Sequence, residues 1–109
     1  MIRHISIFTF SDAPANGKSK AENIAAMRAY LEKIPALYPA MKNQIIGTTL
    51  GGTPVLPDEA PLLFGDLVQI ADYDTPEEAA AYAASEAHQG LVAFSDPMMK
   101  KVTAIDFEL

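Results

Sequence analysis

The segment Ile2–Phe10 limits the fold more than any other part of this sequence. Ile5, Ile7, Phe8 and Phe10 are strand formers, and nine residues are too few for most helices. Side chains alternate sides along a strand, so Ile2, Phe8 and Phe10 share one face while Ile5 and Ile7 share the other. A strand that is apolar on both faces needs cover on both. Leu62–Ala71 has the same two-sided character, with Asp66 and Gln69 set into it. The chain must therefore build a sheet with two buried faces.

Helices supply one cover. Ser19-Lys20-Ala21-Glu22 has the form of a capping box, in which Ser and Glu each satisfy a free backbone N–H of the other. Ile24, Met27, Leu31 and Ile34 follow at helical spacing, and Pro35 is expected to end that helix. Ile45–Leu50 reads as a short strand. Gly51–Pro61, with two Gly and three Pro, reads as a long loop. Thr75-Pro76-Glu77-Glu78 is a helix start with Thr as N-cap and Pro in the first helical position. The helix runs to about Ala84, and Ser85 caps a second short helix carrying Leu91, Val92 and Phe94. Asp96-Pro97 breaks the chain, and Val102–Leu109 closes it as an alternating strand. The order is βαββαβ, an α+β ferredoxin-like pattern with a four-stranded antiparallel sheet. No linker or composition shift divides residues 1–109, so one domain is expected.

Such a fold puts helices on one sheet face only. The other face would carry Ile5, Ile7 and alternate residues of Leu62–Ala71, a larger apolar patch than monomers usually expose. Packing sheet against sheet in a homodimer removes it. The structural alternative is the Gly51–Pro61 loop folding over that face.

Composition excludes several functions. With no Cys there is no disulfide scaffold, thiol nucleophile or Cys-based zinc site, and two His do not suit a His-rich metal site. The 14 acidic residues outnumber the 8 basic ones, giving a net charge of −6 with no basic stripe, so nucleic acid is not an expected partner. No apolar run approaches the roughly 18–20 residues that span a bilayer. The start of the chain lacks the pattern of a secretory leader, so the expectation is a soluble cytoplasmic protein without a membrane partner. Gly17-Lys18-Ser19 invites comparison with a phosphate-binding loop. The full pattern, however, requires Gly where this chain has Asp12, and a capped helix start accounts for the three residues.

The two histidines carry the chemical interest. His4 lies inside an apolar strand, either as a core His bonded to a nearby group or as a polar group lining a cavity. Tyr82 is near the end of one helix and His88 at the start of the next, so both could reach one pocket. A Tyr hydroxyl can polarise a carbonyl, and a neutral His can remove an activated proton; a His bonding backbone at a helix junction explains His88 equally well. Asp66, a carboxylate in an apolar strand, needs a partner, and His4 is a candidate if their strands are neighbours.

Met1-Ile2-Arg3-His4-Ile5 with Phe8 and Phe10, Tyr82 followed by Glu86-Ala87-His88-Gln89, Val92-Ala93-Phe94, and the closing Ile105-Asp106-Phe107 together resemble the stress-responsive A/B-barrel (Dabb) family of dimeric α/β-barrel proteins. The resemblance spans nearly the whole chain. It implies a ferredoxin-like fold and a homodimer whose sheets meet, binding a small molecule between sheet and helices in an unassigned, stress-related role. Plant polyketide cyclases on this architecture close a ring by aldol chemistry without a cofactor. By resemblance to them, Tyr82 and His88 would be the catalytic pair, with His4 in the pocket; Ser85 and Asp66 stand where those enzymes carry further pocket histidines. The expected site is thus Tyr82 and His88 as acid and base, with His4, Asp66, Ser85 and Phe8 contacting the ligand, and with no metal or cofactor. A cofactor-free lyase, cyclase or isomerase acting on a carbonyl compound is the alternative to simple binding, and a heme-degrading monooxygenase is a more distant one.

Overall fold

The computed structural model describes residues 1–49 and 65–109. Its elements are β1 (Ile2–Phe10), α1 (Lys20–Leu37), β2 (Lys42–Thr48), β3 (Leu67–Tyr73), α2 (Pro76–Ala83), α3 (Glu86–Ser95), a single 3₁₀ turn (Asp96–Met98) and β4 (Met99–Glu108). The strands form one antiparallel sheet in the order β2-β3-β1-β4. This is the α+β, ferredoxin-like arrangement expected from the βαββαβ order. The Gly51–Pro61 loop and the first residues of the expected third strand lie outside the described residues.

β1 is an inner strand, and its alternation sorts the whole sheet. Ser6, Phe8 and Phe10 are buried on the helix side. They join Leu67, Ala71 and Tyr73 of β3 and Met27, Leu31 and Ile34 of α1 in the core. The opposite side carries a continuous apolar row, because the strand register sets Ile45 beside Ile70, Ile70 beside Ile5, and Ile5 beside Ile105. Ile45 and Ile105, at the ends of that row, are more than half exposed.

Several element boundaries differ from the sequence expectation. Pro35 does not end α1, which continues to Leu37. A proline there removes the N–H that would bond the Leu31 carbonyl. The Gln44 amide donates to that carbonyl instead, at 2.9 Å, so the helix tolerates the ring without an orphaned acceptor. β2 begins at Lys42, ahead of the apolar residues, because polar side chains anchor its start. Asn43, at a left-handed φ of 53°, donates to Asp72, and Lys42 pairs with Asp74. β3 begins at Leu67, so Asp66 precedes the strand; β4 begins at Met99, where it pairs with Phe10 past a register shift.

Gln44 does a second job. It accepts a hydrogen bond from the buried Gln69 amide at 2.6 Å, tying a polar side chain of β3 to the end of α1. At the sheet's other end Arg3 grips the buried Asp72 carboxylate with two bonds, of 2.8 and 3.0 Å. These bonds hold the Asp72 carboxyl below the usual carboxylate range, with Asn43 adding to the effect.

The expected helix caps are present. Ser19 and Glu22 form the reciprocal box on α1, and the Thr75 hydroxyl accepts from the Glu78 N–H at 3.2 Å. Thr75→Ala should therefore lower stability by about 0.5–2 kcal/mol in a denaturant titration, while Thr75→Ser should retain most of it. A loss within error for the alanine variant would show that the cap contributes nothing.

Candidate active site

The chain turns sharply between α2 and α3, and Ser85 fixes that turn. Its hydroxyl donates to the Tyr82 carbonyl at 2.6 Å and accepts from the His88 N–H at 3.2 Å. One small side chain thus closes the end of one helix and caps the next. The consequence is that the Tyr82 and His88 rings meet edge to face, with centroids 5.1 Å apart. Ser85 was expected to touch the ligand; it does not line the cavity but holds in place the two residues that do.

Those two residues face a cavity of about 320 Å³ between the sheet and the α2–α3 pair. β1 contributes His4, Ser6 and Phe8, while β3 contributes Gln69 and Tyr73. Val102, Ala104 and Asp106 come from β4, and Leu91 and Val92 come from α3. The walls are mostly apolar with a few convergent polar groups, the usual make-up of a small-molecule site. His4, Phe8, Tyr82 and His88, all expected at the site, are brought together here. Asp66 is not. Its carboxylate accepts from the Phe10 N–H at 2.8 Å and lies 3.6 Å from the Lys20 ammonium, so it ties the end of β1 to α1.

The expected pairing of His4 with Asp66 is therefore replaced. His4 lies opposite Asp106 in the β1–β4 register, and its Nδ1 bonds the Asp106 carboxylate. Its Nε2 is 2.5 Å from the Ser6 Oγ, two residues along the same face. An ionised carboxylate can only accept, so Nδ1 carries the proton of a neutral His4. Nε2 is then the acceptor, and the Ser6 hydroxyl donates to it.

Asp106, Ser6 and Tyr73 are among the cavity residues that the sequence reading does not assign to the site. Even-numbered residues of β1 face the helices, which would have pointed to Ser6. The Asp106 partnership depends on a register between strands 102 residues apart.

Two hydroxyls in the cavity have no partner among the described residues. The Tyr73 and Tyr82 oxygens are buried and make no hydrogen bond with any described residue. Leaving a buried hydroxyl unpaired is costly, and a ligand acceptor in the cavity would supply the missing partner. Burial pushes the Tyr82 phenol up to about 12, and it pushes Tyr73 further in the same direction. Both are thus proton donors, not bases, across the neutral range. Among the described residues no cluster of three His, Asp or Glu side chains is arranged to hold a metal, and no helix is long and apolar enough to cross a membrane.

No family model and no curated protein matches this sequence. Solved structures do. A dimeric ferredoxin-like protein of unknown function from Thermobifida fusca is similar over 99% of this chain and 90% of its own, with 27% identity and a TM-score of 0.73. A Dabb-family protein from Mesorhizobium loti with a ferredoxin-like fold matches 99% of this chain and 95% of its own, at 15% identity and a TM-score of 0.73. A hydroxynitrile lyase from Passiflora edulis matches 99% of this chain and 92% of its own, at 17% identity and a TM-score of 0.75. The chain shares the ferredoxin-like fold of these proteins, the fold that the sequence resemblance implies.

The buried phenol provides a direct check on this geometry. In an ultraviolet difference titration, Tyr82→Phe should remove a tyrosinate component that develops only near pH 12. If the substitution instead removes a component titrating near pH 10, Tyr82 is not buried in this way.

Proposed function

We propose that this chain binds a compact, largely apolar carbonyl compound in the cavity between its sheet and helices. The observation that carries this reading is the pair of buried hydroxyls of Tyr73 and Tyr82, unpartnered among the described residues, which offer hydrogen-bond donors to ligand oxygens beside apolar walls. Phe8, Leu91 and Val92 would hold the ligand's carbon frame.

A second reading, cofactor-free acid–base catalysis as a lyase, cyclase or isomerase, is favoured by the closeness of His88 to Tyr82. Tyr82 would hold the carbonyl oxygen and stabilise negative charge as it develops, and His88 would take the proton from the adjacent carbon. The hydroxynitrile lyase of the same fold is a lyase on this architecture, which supports the reading without assigning its substrate to this chain.

A screen of carbonyl acids and polyketide-like phenols by thermal shift would test binding first. For a compound that binds, Tyr82→Phe should weaken affinity by roughly 2–10-fold, the worth of one net hydrogen bond. For a compound that turns over, His88→Ala should lower the rate by about 10²–10⁴-fold while the fold stays intact. If both variants bind and turn over ligands as the wild type does, the two residues are structural only.

We also propose that the protein works as a homodimer packed through the Ile45, Ile70, Ile5 and Ile105 row. Both the Thermobifida fusca protein and a ferredoxin-like protein from Jannaschia are described as dimeric. Ile7, with Val68 and Thr103 beside it, lies on the same face. Ile7→Asp should convert a dimer to a monomer in light scattering at micromolar concentration, because an unpaired charge buried in an apolar interface costs several kcal/mol. A wild-type protein of monomer mass would refute the dimer.

A further inference from the structure

The chain Asp106–His4–Ser6 has an order that simple ligand binding does not need. A carboxylate fixes the Nδ1–H tautomer of an imidazole, whose free Nε2 lone pair meets a serine hydroxyl at 2.5 Å. That is the relation of acid, base and nucleophile in acyl-transfer enzymes, which is recognised by geometry and not by sequence position. Two features make it more than a hydrogen-bonded core cluster. Ser6 and His4 both line the cavity, so a ligand there meets the hydroxyl directly. The same cavity holds the unpartnered Tyr73 and Tyr82 hydroxyls, donors of the kind that stabilise an oxyanion.

The geometry points to Ser6 as a nucleophile, and to an esterase activity on small carboxylic esters in this cavity. The inference rests on the proposal that the cavity accepts carbonyl compounds and names a substrate class for it. In the first half of the reaction the Ser6 Oγ attacks the ester carbonyl carbon as its proton passes to His4 Nε2. The carbonyl oxygen becomes an oxyanion, with the tyrosine hydroxyls as its donors. Collapse breaks the bond to the alcohol oxygen, which leaves with the proton held on His4. In the second half water attacks the acyl carbon and gives a proton to His4 Nε2. The Oγ–carbon bond then breaks, the proton returns to Ser6, and the carboxylic acid is released. Asp106 stays ionised throughout, holding His4 in position and stabilising the imidazolium. It is more than half exposed, so this end of the cavity opens to solvent and water can enter.

A small aryl fluorophosphonate tests this, because an activated serine displaces its fluoride and keeps the phosphonyl group on Oγ. Intact mass and peptide mapping should show one adduct, on Ser6, and Ser6→Ala should abolish it. Asp106→Asn alters an exposed side chain and so should leave the fold intact, as circular dichroism would confirm. It should slow labelling by about 10²–10⁴-fold, because His4 loses its fixed tautomer. Binding of acetophenone, a ketone that cannot acylate the protein, is measured in parallel by calorimetry. If acetophenone binds but Ser6 is not labelled, the nucleophile is overturned and the binding reading stands. If labelling persists in Ser6→Ala, or proceeds unchanged in Asp106→Asn, the triad is likewise overturned. If neither reagent engages the cavity, both readings fall.

Discussion

The structure depends on the alternation of β1 as an inner strand of the sheet. Its even-numbered side chains face the helices, and its odd-numbered ones face the other way. Because β1 pairs with both β3 and β4, this parity passes through the hydrogen-bond register to its neighbours. The Ile5 side of the sheet becomes an apolar row. The Ser6 side becomes core at one end, around Phe8 and Phe10, and the floor of the cavity at the other. A slip of one residue would exchange the two faces and place His4 among the isoleucines.

The cavity arises where this floor meets an interrupted helix. A continuous helix from Pro76 to Ser95 would carry Tyr82 and His88 on a fixed spiral, six residues apart and on different faces. Ser85 stops the first helix and starts the second, and this brings the two rings together. On the far side, α1 extends past Pro35 because Gln44 satisfies the carbonyl that the proline leaves free. The same Gln44 holds Gln69 at the cavity wall. Polar side chains thus set the geometry of a site whose surface is mostly apolar.

The sequence revealed those features that depend on local pattern. The Ser19 and Thr75 caps, the βαββαβ order of elements and the break at Ser85 follow from local pattern, and each is present. Features that depend on distant partners were not legible. Asp66 looked like a buried carboxylate in need of a histidine. Its actual partners, the Phe10 N–H and Lys20, are at the end of β1 and the start of α1. Asp106 looked like an ordinary polar residue of a terminal strand until the register set it beside His4. Polar Lys42-Asn43-Gln44 concealed the start of β2, since their anchors at Asp74, Asp72 and Leu31 lie on other elements.

We propose the sheet–helix cavity as a ligand site whose polar end is formed by His4, Ser6, Tyr82 and His88. Backbone chemical-shift mapping during titration with a compact aryl ketone tests it most directly. Saturable shifts are expected, centred on residues 4–8, 82–92 and 102–106, with the Ile45, Ile70 and Ile105 row unmoved. Shifts confined to that isoleucine row, or none among the cavity residues at millimolar ketone, would contradict it.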